Sequence, residues 1–130
     1  MNRIMMGLGR YRFGIDKAAY EQLSRSTEYR WQSQDRIGRQ PAQQYIGPGR
    51  ETISLNGTIY PFYKGGLGQL ESMRALAGQG GPLILVDGLG VIWGKWVITR
   101  IEETQSNFFG DGVPQKVGFK MDLARYGEDT

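Results

Sequence analysis

The stretch PLILVDGLGVIWGKWVITRIEET, Pro82 to Thr104, decides the fold. A short apolar run, Pro82 to Val86, meets the turn cluster Asp87-Gly88-Leu89-Gly90, and a long alternating run, Val91 to Ile101, follows. Asp-Gly between two hydrophobic runs is the strongest short-range hairpin signal, because the turn needs φ > 0 and glycine supplies it without steric cost. In the second run Val91, Trp93, Val97 and Ile101 fall on one face, with Lys95 and Thr99 between them. Ile92, Trp96 and Ile98 fall on the other. A strand that is apolar on both faces is covered from both sides. One candidate for the second cover is a partner subunit.

Working outward, the same alternation predicts further strands. Met5 to Ile15 sets Tyr11, Phe13 and Ile15 against Arg10 and Arg12. Asp16 to Ser26 reads as a loop with a helical turn, its apolar stripe limited to Ala19, Tyr20 and Leu23. Thr27 to Ser33 puts Thr27, Tyr29 and Trp31 opposite Glu28, Arg30 and Gln32, which predicts a strand. Asp35 to Gly49, with Pro41 and Pro48, is the least regular region, with a short strand at Gln43 to Ile46. Arg50 to Tyr60 is a clean strand, ended by Pro61, with Ile53, Leu55 and Ile59 on one face. Gln115 to Tyr126 is another, with Val117, Phe119, Met121 and Leu123 on one face.

One segment has the helical period. Between Gly65 and Gly81, Leu67, Leu70, Met73, Leu76 and Ala77 recur every three or four residues, with glycine pairs at both ends and Pro82 beyond. At three to four turns it must gain its stability by packing that stripe on a sheet. Six or seven strands and one helix predict a mainly β fold, a β-sandwich or small barrel, in a single domain over residues 1–130.

Composition excludes several classes of function. The 130 residues contain no Cys, so disulfides, thiolate nucleophiles and thiolate metal sites are impossible. They contain no His either, which removes the commonest general base and imidazole ligand together. No run approaches the ~18 apolar residues of a membrane span. Arg10 and Arg12 interrupt any signal-peptide core, so synthesis and retention in the cytoplasm until assembly are expected. The net charge of +3 conceals a basic half, residues 1–50 at +5, and a mildly acidic half at −2. That split suits nucleic-acid contact and head-to-tail self-association alike.

The chemistry-bearing patterns are weak. Gly65 to Gln69 precedes the helix, but no Lys-Ser/Thr pair or parallel strand accompanies it, so helix punctuation explains it better than phosphate binding. Glu102 and Glu103, as neighbours on a strand, point to opposite faces and cannot share a substrate. Asp87 and Asp111 each precede Gly and serve turns. No catalytic, cofactor or metal residue is assigned. The segment Arg30-Trp31…Arg36…Arg39 with Tyr45 interleaves basic and aromatic side chains. A protein interface is the preferred reading of it, and an OB-like surface for single-stranded nucleic acid is the reserve.

Three stretches carry a resemblance: YRWQSQDRIGRQPAQQYIGPGRETISLNGTIYP (29–61), GGLGQLESMRALAGQGGPLILVDGLGVIWGKWVITRIEET (65–104) and FFGDGVPQKVGFKMDLARY (108–126). In order and over nearly the whole chain, they resemble the GpU family of tail proteins from contractile-tailed phages and R-type pyocins. The resemblance implies a non-enzymatic structural component with a tail-tube-like fold, two packed antiparallel sheets and one helix, assembled as a six-fold ring. It implies further copies of the chain, the tail tube protein, the baseplate hub and spike and the sheath initiator as partners, in a virion or pyocin particle. No cofactor, membrane anchor or specific nucleic acid is implied. A baseplate ring joining hub to tube is the favoured placement, a head-proximal terminator ring the other. The expected assembly interface comprises Arg30, Trp31, Arg36, Arg39, Tyr45, Trp96, Ile98, Phe108 and Phe109, with Trp96 and Ile98 assigned to helix or subunit contacts.

Overall fold

The structure, a computed structural model, describes residues 4–9, 11–14, 20–59, 68–108, 110, 112 and 114–127. Its elements are β1 Ile4–Leu8, β2 Tyr11–Gly14, β3 Tyr20–Arg36, β4 Arg39–Ile59, α1 Gly68–Gly78, β5 Leu83–Asp87, β6 Ile92–Phe108 and β7 Pro114–Arg125. The strands form one antiparallel sheet in the order β2-β1-β5-β6-β7-β4-β3. Expectations placed on Ile15, on residues 16–19, on residues 60–67 (Pro61 and Leu67 among them), and on Phe109 and Asp111 lie outside the described residues.

Period-two alternation builds the centre of the sheet. Ile53, Leu55 and Ile59 of β4 sit opposite Leu123, Met121 and Val117 of β7, and all six are buried. Directly opposed side chains on one face of an antiparallel pair are in contact, so these pairs form a continuous apolar strip. Met6 and Leu8 of β1, Phe13 of β2 and Leu85 of β5 extend it, and Leu70, Met73 and Leu76 of α1 close over it. Each such side chain, fully buried, is worth about 1.5–3 kcal/mol.

The edge strands β2 and β3 do not pair among the described residues, yet they meet. The rings of Phe13 and Tyr20 stand edge to face with centroids 6.0 Å apart. The sheet therefore folds over its core in a sandwich-like way without closing into a barrel. This is the expected mainly β architecture with one helix. Its seven-strand order is not the five-stranded OB barrel that the nucleic-acid reading would need.

The opening stretch folds as a hairpin, but its details correct the reading of two apolar faces. The turn is a three-residue loop, with Asp87 N donating to Val91 O at 3.0 Å and Gly90 N to Asp87 O at 3.0 Å. The positive φ, 86°, belongs to Gly90, not to the glycine after Asp87. Two bulges then rephase β6. Leu85 faces Gly94 while Val86 faces Ile92, leaving Trp93 as the extra residue. Ile98 faces Leu123 while Arg100 faces Asp122, leaving Thr99 extra. Each extra residue shifts the alternation by one. Trp93, Trp96, Ile98 and Ile101 consequently all pack against the core, and Ile92 turns outward, 68% exposed.

Three further segments differ from expectation. Where one strand is expected from Met5 onward, the described residues form two, β1 and β2, that reverse after Leu8 and pair with each other. Tyr20 to Ser26 is strand rather than loop, because it pairs along β4 from Gly57 to Thr52. Arg39 to Gly49 is strand too, turning back from β3 at Ile37-Gly38. Beyond Thr52 the outer edge of β4 has no partner among the described residues. There half of its N–H groups point away from any strand, and a proline at such a position forfeits no ladder bond.

Candidate assembly surface

Pairing between β4 and β7 ends at Thr52↔Ala124, but pairing between β3 and β4 continues to Arg36↔Arg39. The hairpin therefore leaves the sheet as a two-stranded arm over residues 27–50. At ~3.3 Å per residue, the ten steps from Thr27 to Ile37 carry it about 30 Å beyond its root. Nearly every residue of the arm is exposed, so no alternation between inside and outside exists to shape its sequence.

Cross-strand contacts hold the two strands of the arm together. Trp31 and Tyr45 face each other, with ring centroids 5.0 Å apart at 58°, and remain 58% and 47% exposed. The Gln34 side-chain amide donates to Gln44 Oε1 and Gln43 Nε2 to Ser33 Oγ (3.2 Å). The Arg36 guanidinium donates to Gln40 O through Nε at 3.2 Å and Nη2 at 3.1 Å. Arg30 and Arg39 project as exposed cations without an ion pair among the described residues.

A charged cluster clamps the root of the arm. Glu51 Oε1 accepts from Arg25 Nη2 at 2.7 Å and from Arg125 Nη1 at 3.2 Å. The Arg25 guanidinium lies 4.8 Å from the Trp93 ring centroid, and that of Arg125 5.5 Å from that of Trp96. Burial pushes the Glu51 carboxyl up, but the hydrogen bond and charge of Arg25 and the charge of Arg125 outweigh it. The group ends below its ordinary value.

The β5–β6 turn carries a second exposed patch. Asp87 Oδ1 accepts from Leu89 N and Val91 N, each at 2.9 Å, and Oδ2 from Trp93 Nε1 at 3.0 Å. Those bonds, the one from Val91 first and the Trp93 indole next, hold its carboxyl below the ordinary range. The rigid turn presents Leu89, Val91 and Ile92 to solvent. Behind it, Ile84, Ile92, Gly94, Lys95, Arg125 and Tyr126 line an open depression of about 480 Å³.

Glu102 and Glu103 have separate partners, as neighbours on a strand must. Glu102 pairs with Arg100, while Glu103 accepts from Arg74 of α1, which also binds Glu71. The hydrogen bond from Arg74, then that from Gln105, holds Glu103 below its ordinary value. The helix is thereby tied to β6. At its other side the Tyr11 hydroxyl donates to Gln69 Oε1 at 2.8 Å, and burial pushes this phenol up to about 12.

With this geometry in hand, the sequence model of the family described as Phage P2 GpU matches residues 9–128. The chain belongs to that family of phage tail proteins. Its GpU stretch takes in both the arm and the β5–β6 patch. A probable tape measure protein of Halomonas phage phiHAP-1 is 34% identical over 111 residues, 85% of this chain and 13% of that protein. The chain thus spans about an eighth of that relative. Among solved structures, a chain of the PVC sheath–tube complex, an extracellular contractile injection system in its extended state, is 11% identical. That match covers 96% of this chain and 85% of the other, with TM-score 0.49. A chain of the anti-feeding prophage (AFP) baseplate is 13% identical, covering 96% and 87%, with TM-score 0.40. The family assignment rests on the sequence match alone, and it makes this a structural component of a phage tail.

Within this GpU member, five of the expected interface residues share one element. Arg30, Trp31, Arg36, Arg39 and Tyr45 all lie on the arm. Trp96 does not belong with them. It is fully buried, its Nε1 donating to Trp93 O at 3.1 Å, so its side chain is core and out of a partner's reach. Ile98 is half-buried against the same core and lines a shallow groove with Arg74 and Ala77 of α1. Phe108 is the last residue of β6, paired with Pro114, and Phe109 lies outside the described residues. Sequence reading missed Ile84, Ile92 and Tyr126, because the Trp93 bulge that exposes Ile92 leaves no mark on the alternation. It also missed Glu51, whose two arginines come from strands distant in sequence.

Proposed function

We propose that this chain is a non-enzymatic ring subunit of a contractile phage tail or R-type pyocin. The ring, six-fold, sits in the baseplate and joins the central hub and spike to the tail tube. The observation that carries this reading is the arm over residues 27–50. A two-stranded ribbon with an exposed aromatic pair, Trp31–Tyr45, and an outer edge along β3 unpaired among the described residues is an aggregation hazard unless a neighbour covers it. Its own body does not: the arm projects beyond the last β4–β7 partner. Neighbouring copies around a ring supply that cover, with hairpin strands lining the lumen. The tube protein, the hub and the sheath initiator would meet the ring's two ends, Arg30 and Arg39 among the contacts.

Imaging of assembled particles with this subunit tagged tests the placement. The tag is expected at the baseplate end with six copies per level; density at the head-proximal end would make it a terminator ring. A monomer that ignores tail proteins and binds single-stranded DNA with a steep salt dependence would overturn the structural reading.

A further inference from the structure

All ten exposed large hydrophobic side chains among the described residues fall in two places, five in each. Tyr29, Trp31, Ile37, Tyr45 and Ile46 lie on the arm, and the rest surround the β5–β6 turn and Tyr126. Two separate patches on one chain need not be self-complementary, as a single patch shared across a symmetric dimer must be. They suit a heterologous contact, in which the patch of one copy meets the other patch of the next.

We propose that the arm of one copy seats its Trp31–Tyr45 pair in the depression lined by Ile84, Ile92 and Tyr126 on the adjacent copy. The inference rests on the ring reading and assigns the two surfaces that build the ring. Size agrees on both sides. Each patch of five half-exposed or fully exposed large hydrophobic side chains offers apolar surface on the order of a few hundred Å². A stable interface covers about 800 Å² per partner, somewhat more than half of it apolar. Chemistry agrees as well. The depression, at about 480 Å³, has room for an aromatic anchor, and it sets Lys95 and Arg125 beside its isoleucines. Both surfaces are already ordered, the turn by Asp87 and the arm root by Glu51, so docking loses little conformational entropy. Reach completes the argument, since the Trp31–Tyr45 pair stands four steps from Thr27, about 13 Å beyond the arm's root and clear of the last β4–β7 partner.

The test uses the full chain and two exposed positions, Trp31→Glu and Ile92→Glu, with circular dichroism and thermal melting verifying the fold. Sedimentation velocity is expected to show that each variant weakens self-association about 30-fold or more, the loss of one hot spot. Trp31→Phe is expected to retain assembly. The decisive sample is the mixture. The Ile92→Glu chain keeps an intact arm and the Trp31→Glu chain an intact depression, so together they should form a 1:1 dimer that cannot extend. If the wild type assembles and both variants assemble equally well, the contact is wrong although the ring stands. If Trp31→Glu abolishes assembly, Ile92→Glu does not, and the mixture gives no dimer, the arm binds a different surface and the proposal falls. A wild type that stays monomeric alone and with hub and tube proteins overturns the ring reading and this contact together.

Discussion

Arg25 and Glu51 form an ion pair at 2.7 Å, one residue beyond the last partner that β4 shares with β7. Arg125 of β7 reaches the same carboxylate oxygen at 3.2 Å, and both guanidiniums lie over tryptophan rings of β6. One carboxylate thus ties β3, β4 and β7 together at the point where the arm departs. Pairs between exposed charges contribute little individually, but a shared acceptor that is mostly covered resists screening better than a lone surface pair.

Glu51→Gln is expected to lower stability by about 1 kcal/mol, with the half-exposed arginines setting that modest size. For a chain of this length that is a fall in Tm of roughly 3–5 °C. The effect has a pH signature. Because the folded carboxyl lies below its ordinary value, its stabilisation is full above the unfolded pKa and is lost as pH falls through the folded one. Denaturant melts at pH 7 and below pH 4 test this: the gap between wild type and variant should shrink in acid. A gap of constant size would mean that the charge is irrelevant to the clamp.

Gly94 has φ = 97°, and a Cβ there would lie 2.7 Å from Arg125 Nη2. Gly94→Ala therefore combines backbone strain with displacement of a guanidinium from Trp96 and Glu51. The expected cost is about 1–3 kcal/mol, read from urea melts. In the background of Arg125→Ala the displacement disappears while the strain stays, so the same substitution should cost less there. Equal costs in both backgrounds would remove Arg125 from the explanation.

Two tryptophans separate folding from assembly. Trp96→Ala opens a cavity in the core and is expected to cost about 3–5 kcal/mol, a large part of a domain's total stability. Trp31→Ala removes one cross-strand ring pair in solvent and is expected to cost about 1 kcal/mol or less. Acrylamide quenching offers an independent check, since Trp31 should account for most of the quenchable fluorescence. A Trp96 as quenchable as Trp31 would contradict the burial on which the core rests.

The legible parts of this fold are those shaped by an inside and an outside. Ile53, Leu55 and Ile59, and Val117 to Leu123, alternate because one face of their strands meets the core, and Leu70, Met73 and Leu76 recur helically for the same reason. The arm has no inside, so Arg39 to Gly49 carries no period and its prolines read as irregularity, although ladder bonds to β3 hold it extended. The bulges at Trp93 and Thr99 are invisible for a different reason. They rephase the strand through backbone geometry, so counting residues from Val91 assigns Ile92 and Trp96 to one face when they lie on opposite ones. The exposed face of the arm was legible where Arg and aromatic residues cluster locally, in Arg30, Trp31 and Tyr45. The depression was not, because β5, β6 and the end of β7 assemble it from residues as distant in sequence as Ile84 and Tyr126.

Asp87 is expected to govern the order of the β5–β6 turn more than the stability of the whole. Asp87→Ala deletes the acceptor for Leu89 N, Val91 N and Trp93 Nε1 at once. Amide exchange at Leu89 and Val91 should accelerate, while that of buried Leu55 in β4, which faces Met121 of β7, stays slow. Acidification should reproduce the effect in the wild type only below the ordinary carboxylate range, because the folded carboxyl is held down. Unchanged exchange in the variant would show that Gly90 and the backbone bonds suffice to fix the turn.

Removing the arm should leave the body folded. Its residues 27–50 supply no side chain to the buried hydrophobic core, which is drawn from β1, β2, α1, β5, β6, β7 and the part of β4 from Ile53 onward. Replacing residues 28–50 with Asn-Gly joins Thr27 to Glu51, which already face each other across the hairpin, through the dipeptide that suits a two-residue turn. Ser26↔Thr52 pairing and the Arg25–Glu51–Arg125 clamp are retained by this design. The shortened chain is expected to melt within a few degrees of the wild type, because surface changes away from core and clamp usually alter stability by about 0.5 kcal/mol. Its assembly with other copies should be lost at every concentration at which the wild type sediments as an oligomer. A truncated chain that unfolds would show that the arm is part of the folding unit. One that folds and still assembles would place the subunit contacts on the body alone.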